Sequence, residues 1–112
     1  MNKLVNGKFY DTKKAQSKVE FMLPPGGMGD GDWVDLWRIE TLYRTAKGNY
    51  FVHGKGGINT RWATIELLEG EHVGDGEDIL VVTPMVALKW LEERNLCVPD
   101  DCPEIAALVE DA

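Results

Sequence analysis

From residue 37 to residue 44 the chain alternates between two sets of side chains. Trp37, Ile39, Thr41 and Tyr43 would share one face of a strand, and Arg38, Glu40, Leu42 and Arg44 the other. Successive side chains of a strand point to opposite faces, so the first, more apolar set is the expected core face. Ala46-Lys47-Gly48-Asn49 follows, and then a second run in which Tyr50 pairs in face with Val52, and Phe51 with His53. Two runs rich in β-branched and aromatic residues, flanking a turn with Gly where a positive φ is needed, predict a hairpin within 33–57. An isolated hairpin is marginal in water. The rest of the chain is therefore expected to cover it. Gly54-Lys55-Gly56-Gly57 is expected to end the ribbon as a loop turning the chain away from the sheet, with residues 58–63 following.

The same pattern reading divides the flanks. Lys3 to Tyr10 has a polar–apolar beat around Asn6-Gly7, which predicts a short strand or a two-stranded ribbon. Asp11 or Thr12 has N-cap chemistry, and Ala15, Val19 and Met22 recur at i, i+4 and i+7. That spacing predicts a short amphipathic helix over 13–21, with Lys13, Lys14 and Lys18 on its outer face. Residues 23–32, rich in Gly and Pro, read as a loop. Residues 64–78 form an acidic insert whose Ile65, Leu67 and Leu68 fit a helical turn or a strand stub equally. Ile79-Leu80-Val81-Val82 is a continuous apolar run suited to a buried strand, expected to join the hairpin. Thr83-Pro84 is a capping hydroxyl followed by Pro at the first helical position, predicting a helix over 84–95. Ala87, Trp90, Leu91 and Arg94 would make its inner face, with Val86 and Leu88 on the flanks and Trp90 as the plug against the sheet. Residues 96–112 read as a short C-terminal extension with a last helix over 104–110.

The predicted architecture is one α+β domain over 1–112. It has a three- or four-stranded antiparallel sheet built on the central hairpin, with two or three short helices packed on it. A chain of 112 residues is long enough for one core, and a hydrophobic content of 44% argues against disorder. No apolar run reaches the ~20 residues of a membrane helix, and the first residues lack a signal-peptide stretch. A cytoplasmic, unanchored protein is the expectation.

Charge changes the picture more than composition does. The net charge of −7 conceals two opposed halves. Residues 1–61 carry ten Lys/Arg against six Asp/Glu, a net of +4, and residues 62–112 carry two against thirteen, a net of −11. Such asymmetry bears on partners rather than on fold.

Several chemistries can be weighed against spacing. Cys97 and Cys102, with His53 and His72, have the elements of a zinc site, but the histidines are nineteen residues apart and not tightly paired. Two ordinary thiols are the expectation. Asp30, Asp32 and Asp35 lack the twelve-residue loop and closing Glu of a calcium-binding hand. Gly54-Lys55-Gly56-Gly57 fails the phosphate-loop pattern because no Ser or Thr follows its lysine. His53 has no nucleophile at a recognisable spacing and no carboxylate partner identifiable from the sequence. No catalytic residue, metal or cofactor is expected.

The run Glu40-Thr41-Leu42-Tyr43-Arg44-Thr45, followed by residues 47–57 (KGNYFVHGKGG), resembles a group of small, mostly uncharacterised proteins of bacterial phages and mobile elements. Members of that group commonly share a YRT-K-G-YF-HG-GG hairpin, a variable acidic insert, and a strand–helix segment whose place Ile79 to Trp90 occupies here. The resemblance covers about half of the chain. Lys55 stands where an acidic residue is common, and Val82-Thr83-Pro84-Met85 is less acidic than the usual helix start. The resemblance carries over no catalytic residue. What it implies is a setting: accessory proteins acting on host machinery, defence systems included.

Together these readings lead to one functional expectation and one alternative. The expectation is a non-enzymatic protein-binding module, an anti-CRISPR-like or anti-restriction inhibitor. Its acidic surface, from Glu66, Glu69, Glu71, Asp75, Glu77 and Asp78, would occupy a basic site on a host nucleic-acid-handling protein. The alternative is a small nucleic-acid-binding protein using Lys8, Lys13, Lys14 and Lys18. The acidic pI near 4.7 and the absence of a recognised motif count against direct nucleic-acid binding. Pairing of a free strand edge leaves both a monomer and a homodimer open.

Overall fold

A computed structural model describes residues 1–23, 37–57, 60–66 and 72–111. The expected 23–32 loop beyond Leu23, the Asp30, Asp32 and Asp35 cluster, and Glu69 and Glu71 lie outside the described residues.

The chain opens with β1 (Asn2–Val5) and β2 (Lys8–Asp11), an antiparallel ribbon in which Val5 faces Lys8 and Leu4 faces Phe9. Its two-residue turn is Asn6-Gly7, with φ of 51° and 77°. Both values are positive, as the tight turn that matches strand twist requires, and Asn and Gly tolerate them best.

The helix expected over 13–21 is instead β3 (Ser17–Leu23). Val19, Phe21 and Leu23 are half-buried while Lys18, Glu20 and Met22 are exposed, a period of two rather than of 3.6. The Asp11 carboxylate accepts from the Lys13 N–H at 2.9 Å, closing a local turn where a helix cap was expected. Gln16 N–H then donates to the Arg44 carbonyl at 3.0 Å and brings the chain beside the sheet.

The central hairpin forms as expected, from β4 (Arg38–Arg44) and β5 (Tyr50–Gly56), with Gly48 at φ 83° in the turn. β5 ends at Gly56, within the Gly54-Lys55-Gly56-Gly57 segment expected to end the ribbon, but 54–56 belong to the strand rather than to a loop. After it come β6 (Thr64–Glu66) and β7 (His72–Gly74), which pair antiparallel, so Ile65 of the acidic insert lies on a strand, while Leu67 and Leu68 lie outside the described residues. β8 (Gly76–Val82) follows and joins the hairpin, as expected of residues 79–82. The principal sheet is antiparallel with order β3-β4-β5-β8.

The first helix, α1 (Pro84–Glu93), is capped by Thr83, whose hydroxyl accepts from Val86 N–H at 3.2 Å. It ends two residues earlier than expected. Asn95 adopts φ 56°, and the Asn95 and Leu96 amides donate back to Glu92 and Leu91 carbonyls at 3.1 and 2.9 Å. This left-handed closure satisfies the last carbonyls of the helix. The expected last helix shortens to α2 (Pro103–Ala106), leaving Leu108 and Val109 exposed. Among the described residues no helix is long and apolar enough to cross a membrane.

Contacts within the chain gather into two compact units, and the four strands of the principal sheet contribute residues to both. Unit 1 comprises Met1–Val19, Leu42–Val52 and Ile79–Ala112. Its core is Phe51, with no exposed surface, Ile79 and Tyr10. Tyr43 stacks on Phe51 at 5.0 Å between ring centroids, and Tyr10 meets it edge-on at 5.5 Å. On the opposite face of the strands, Leu42, Tyr50 and Val52 are also buried, as are Ala87, Trp90 and Leu91 of α1 and Ile105 of α2. Unit 2, Glu20–Thr41 and His53–Asp78, has Trp62, Glu40 and Thr41 as its buried side chains among the described residues. The face bearing Glu40 and Leu42, which the alternation made the outer one, is thus buried as deeply as the face of Thr41. β4 and β5 are inner strands of the sheet and carry cover on both sides.

The Thr83 cap sets the start of α1 and with it the placement of Trp90. Replacing it in a Thr83→Ala variant is expected to lower unfolding stability by about 1 kcal/mol. Urea denaturation should show a lower midpoint with an unchanged slope.

Candidate functional site

Unit 2 is built around a carboxylate. Glu40 is 1% exposed, and the indole Nε1–H of Trp62 donates to its Oε2 at 2.9 Å. Arg38 Nε stands 3.5 Å from the other oxygen, and the Arg38 guanidinium lies 5.3 Å from the Phe21 ring centre. A buried carboxylate without donors would be strongly destabilising, so these partners fix the strand in place. Trp62 reaches Glu40 through a tight turn. Gly57 N–H donates to the Trp37 carbonyl at 2.9 Å, and Thr60 caps the turn through its hydroxyl to the Gly57 carbonyl at 2.8 Å. The indole then lies directly on Gly54, where any Cβ would overlap the ring. Residues 54–56, expected in a loop turning the chain away from the sheet, lie instead on β5, and the Trp62 ring folds back onto Gly54. The signal was a glycine inside a strand, which often marks a close approach.

Three of the predicted acidic residues are placed at the surface of this unit. Asp75 lies between β7 and β8, and Glu77 and Asp78 stand at the start of β8, all three exposed. Glu66 belongs to β6, and Glu69 and Glu71 lie outside the described residues. His53, for which no partner was identifiable in the sequence, has one. Its Nε2 lies 2.7 Å from Glu77 Oε2, a hydrogen bond in which the imidazole donates. Unit 2 as a whole carries three Lys/Arg against eleven Asp/Glu, a net of −8, while unit 1 carries nine against eight, a net of +1. The charge difference between the two units is smaller than that between the two halves of the chain, +4 and −11, but the acidic excess still falls on one unit. Residues 92–111, acidic in sequence, belong to unit 1 with the lysines.

The alternative site also gathers in one unit. Lys8 on β2, Lys13 and Lys14 in the turn after it, and Lys18 on β3 are all exposed. They share a unit but not a helix face.

Unit 1 holds one strong polar network. The Arg44 guanidinium donates to both oxygens of Glu104, at 2.7 and 3.0 Å, and the Tyr50 hydroxyl donates to the same carboxylate at 2.7 Å. This clamp joins α2 to strands β4 and β5 across sixty residues of sequence. The hydrogen bonds from Arg44, and then that from Tyr50, hold the Glu104 carboxyl down at about 2. Burial and then the neighbouring carboxylate push the Tyr50 hydroxyl up, and the Arg44 guanidinium is pushed up by Glu104. The network acts as a structural tie, with its polar atoms turned on one another.

Cys97 is exposed and Cys102 buried, and both are free thiols. Among the described residues no three His, Cys, Asp or Glu side chains gather as a metal site. The chain matches no protein-family model, no curated protein and no solved structure.

Two outcomes follow from these networks. Trp62→Phe keeps the ring over Gly54 but removes the donor to Glu40, and should destabilise the protein by about 1–3 kcal/mol in chemical denaturation. Glu104 is favoured as carboxylate by the fold. Its contribution is complete above the ordinary value near 4.5 and is lost as pH falls towards about 2. Glu104→Gln should therefore be less stable than the parent at neutral pH. The gap between the two should close through that acid window, read as denaturation midpoints at successive pH values.

Proposed function

We propose that this protein is a non-catalytic protein-binding module of a mobile genetic element. In this reading its acidic unit occupies a basic site on a host nucleic-acid-handling complex of the defence kind. The observation that carries the reading is the concentration of charge. Eleven of the nineteen acidic residues fall in unit 2, against three of the twelve basic ones, and Asp75, Glu77 and Asp78 are exposed where β7 passes into β8.

The physical argument runs through the partner. Nucleic-acid grooves are basic because phosphates must be neutralised there. A set of carboxylates on a folded backbone competes for the same lysines and arginines without having to be ordered on binding. The β6–β7 hairpin and the start of β8 supply that backbone, with Glu66 paired in register against His72. Complementary charge of this kind raises the association rate and makes it strongly dependent on salt. The resemblance of the 40–57 hairpin to phage and mobile-element proteins favours the host-directed setting.

The test is capture of a partner from a nuclease-treated bacterial lysate on the immobilised protein, at low and then at high salt. A basic nucleic-acid-handling protein should be retained after nuclease and released by salt. The variant E66Q/E69Q/D75N/E77Q should lower that capture by about tenfold or more at low salt. The variant K8Q/K13Q/K14Q/K18Q should leave it intact. Undiminished capture by the acid-neutralised protein, or recovery only of nucleic acid that nuclease removes, would overturn the reading.

A further inference from the structure

We propose that the cleft between the N-terminal ribbon and the 45–49 turn is a binding site for a nucleoside monophosphate. The site lies wholly in unit 1 and is independent of the acidic-unit reading.

The cleft encloses about 490 Å³, within the range of roughly 300–1,000 Å³ typical of small-molecule sites. Three lysines line it from three separate segments: Lys8 from β2, Lys14 from the turn after β2, and Lys47 from the hairpin turn. Among the described residues no carboxylate lies within ion-pair distance of any of the three. Asp11 also lines the cleft, but its Oδ1 already accepts from the Lys13 N–H at 2.9 Å. The lining thus carries a net of two positive charges, and like charges gathered in one concavity repel unless an anion enters. Lysine presents its charge as a compact point with three rotatable donors, suited to a phosphate group whose oxygens lie in several directions.

The rest of the lining suits a flat organic body beside that phosphate. Phe9 is 55% exposed, and Lys14 Nζ stands 5.9 Å from its ring centre, so an aromatic face and a cation adjoin. Ala15, Ala46 and the buried Tyr10 supply apolar wall. Asn49 is held through its backbone: its N–H donates to the Thr45 hydroxyl at 3.1 Å and its carbonyl accepts from Thr45 N–H at 2.8 Å. Its side-chain amide has no partner among the described residues, which leaves one donor and one acceptor edge for a base. A base on Phe9, its polar edge at Asn49 and its phosphate among Lys8, Lys14 and Lys47 use the aromatic, amide and cationic groups of the lining.

Isothermal titration of the full chain with adenosine monophosphate, uridine monophosphate, adenosine and a short oligothymidylate tests this. Saturable one-site binding of a monophosphate is expected, weakening as salt rises, with adenosine bound about tenfold less tightly or worse. K8Q/K14Q/K47Q should reduce monophosphate affinity by about tenfold or more, and Phe9→Ala by about fivefold. All four side chains are exposed, so far-UV circular dichroism should be unchanged in both variants. E66Q/E69Q/D75N/E77Q should bind the monophosphate as the parent does, which separates this site from the acidic surface. The proposal is overturned if neither monophosphate binds, if adenosine binds equally well, if the lysine and Phe9 variants retain full affinity, or if the oligothymidylate alone binds.

Discussion

The constraint on which this structure depends is the burial of β5 on both faces. Tyr50, Phe51 and Val52 are consecutive residues, so their side chains alternate across the sheet, yet each is at most 1% exposed. A strand of that kind has no solvent side and must be covered twice. Tyr10 of the N-terminal ribbon closes over Phe51. Glu104 of α2 reaches Tyr50 on the opposite face. Each fully buried side chain of this size contributes about 1.5–3 kcal/mol relative to exposure, so neither cover is dispensable.

Further along the same strands the cover is polar at its centre. Glu40 is buried on the face that holds Leu42, and its carboxylate is made tolerable by the Trp62 indole and by Arg38. The arrangement needs three things at once: a turn over 60–63, an aromatic ring with an N–H at its end, and a strand residue with no side chain beneath that ring. Gly54 provides the last. Carboxylate, indole and glycine form one unit of structure, and the strands from which the exposed acids project are anchored to it. Arg44, Glu104 and Tyr50 play the matching part in unit 1, where a bidentate pair and a phenol hydroxyl tie α2 to the sheet.

The overall charge describes neither half of this molecule. One unit, at −8, presents carboxylates to the solvent, and the other, at +1, gathers lysines around a cleft. The two proposed sites therefore attract opposite kinds of ligand and rest on different residues.

Local patterns determined much of the fold. The Asn6-Gly7 ribbon, the 46–49 turn, the buried strand at 79–82 and the Thr83-Pro84 helix start were legible because each rests on the preferences of adjacent residues. The 13–21 segment was misread because Ala15, Val19 and Met22 fit a helical period while Val19, Phe21 and Leu23 fit a strand. Hydrogen bonding to the neighbouring strand decided between them. The acidic residues and lysines were legible as types and counts. Only the tertiary structure could show that Lys47 joins Lys8 and Lys14, that His53 meets Glu77, or that Trp62 covers Gly54 to reach Glu40. Those pairings join residues far apart in the chain, and periodicity carries information only between neighbours. Which face of a strand is buried, and whether a carboxylate on it can be borne, depends on what the distant chain brings to that face.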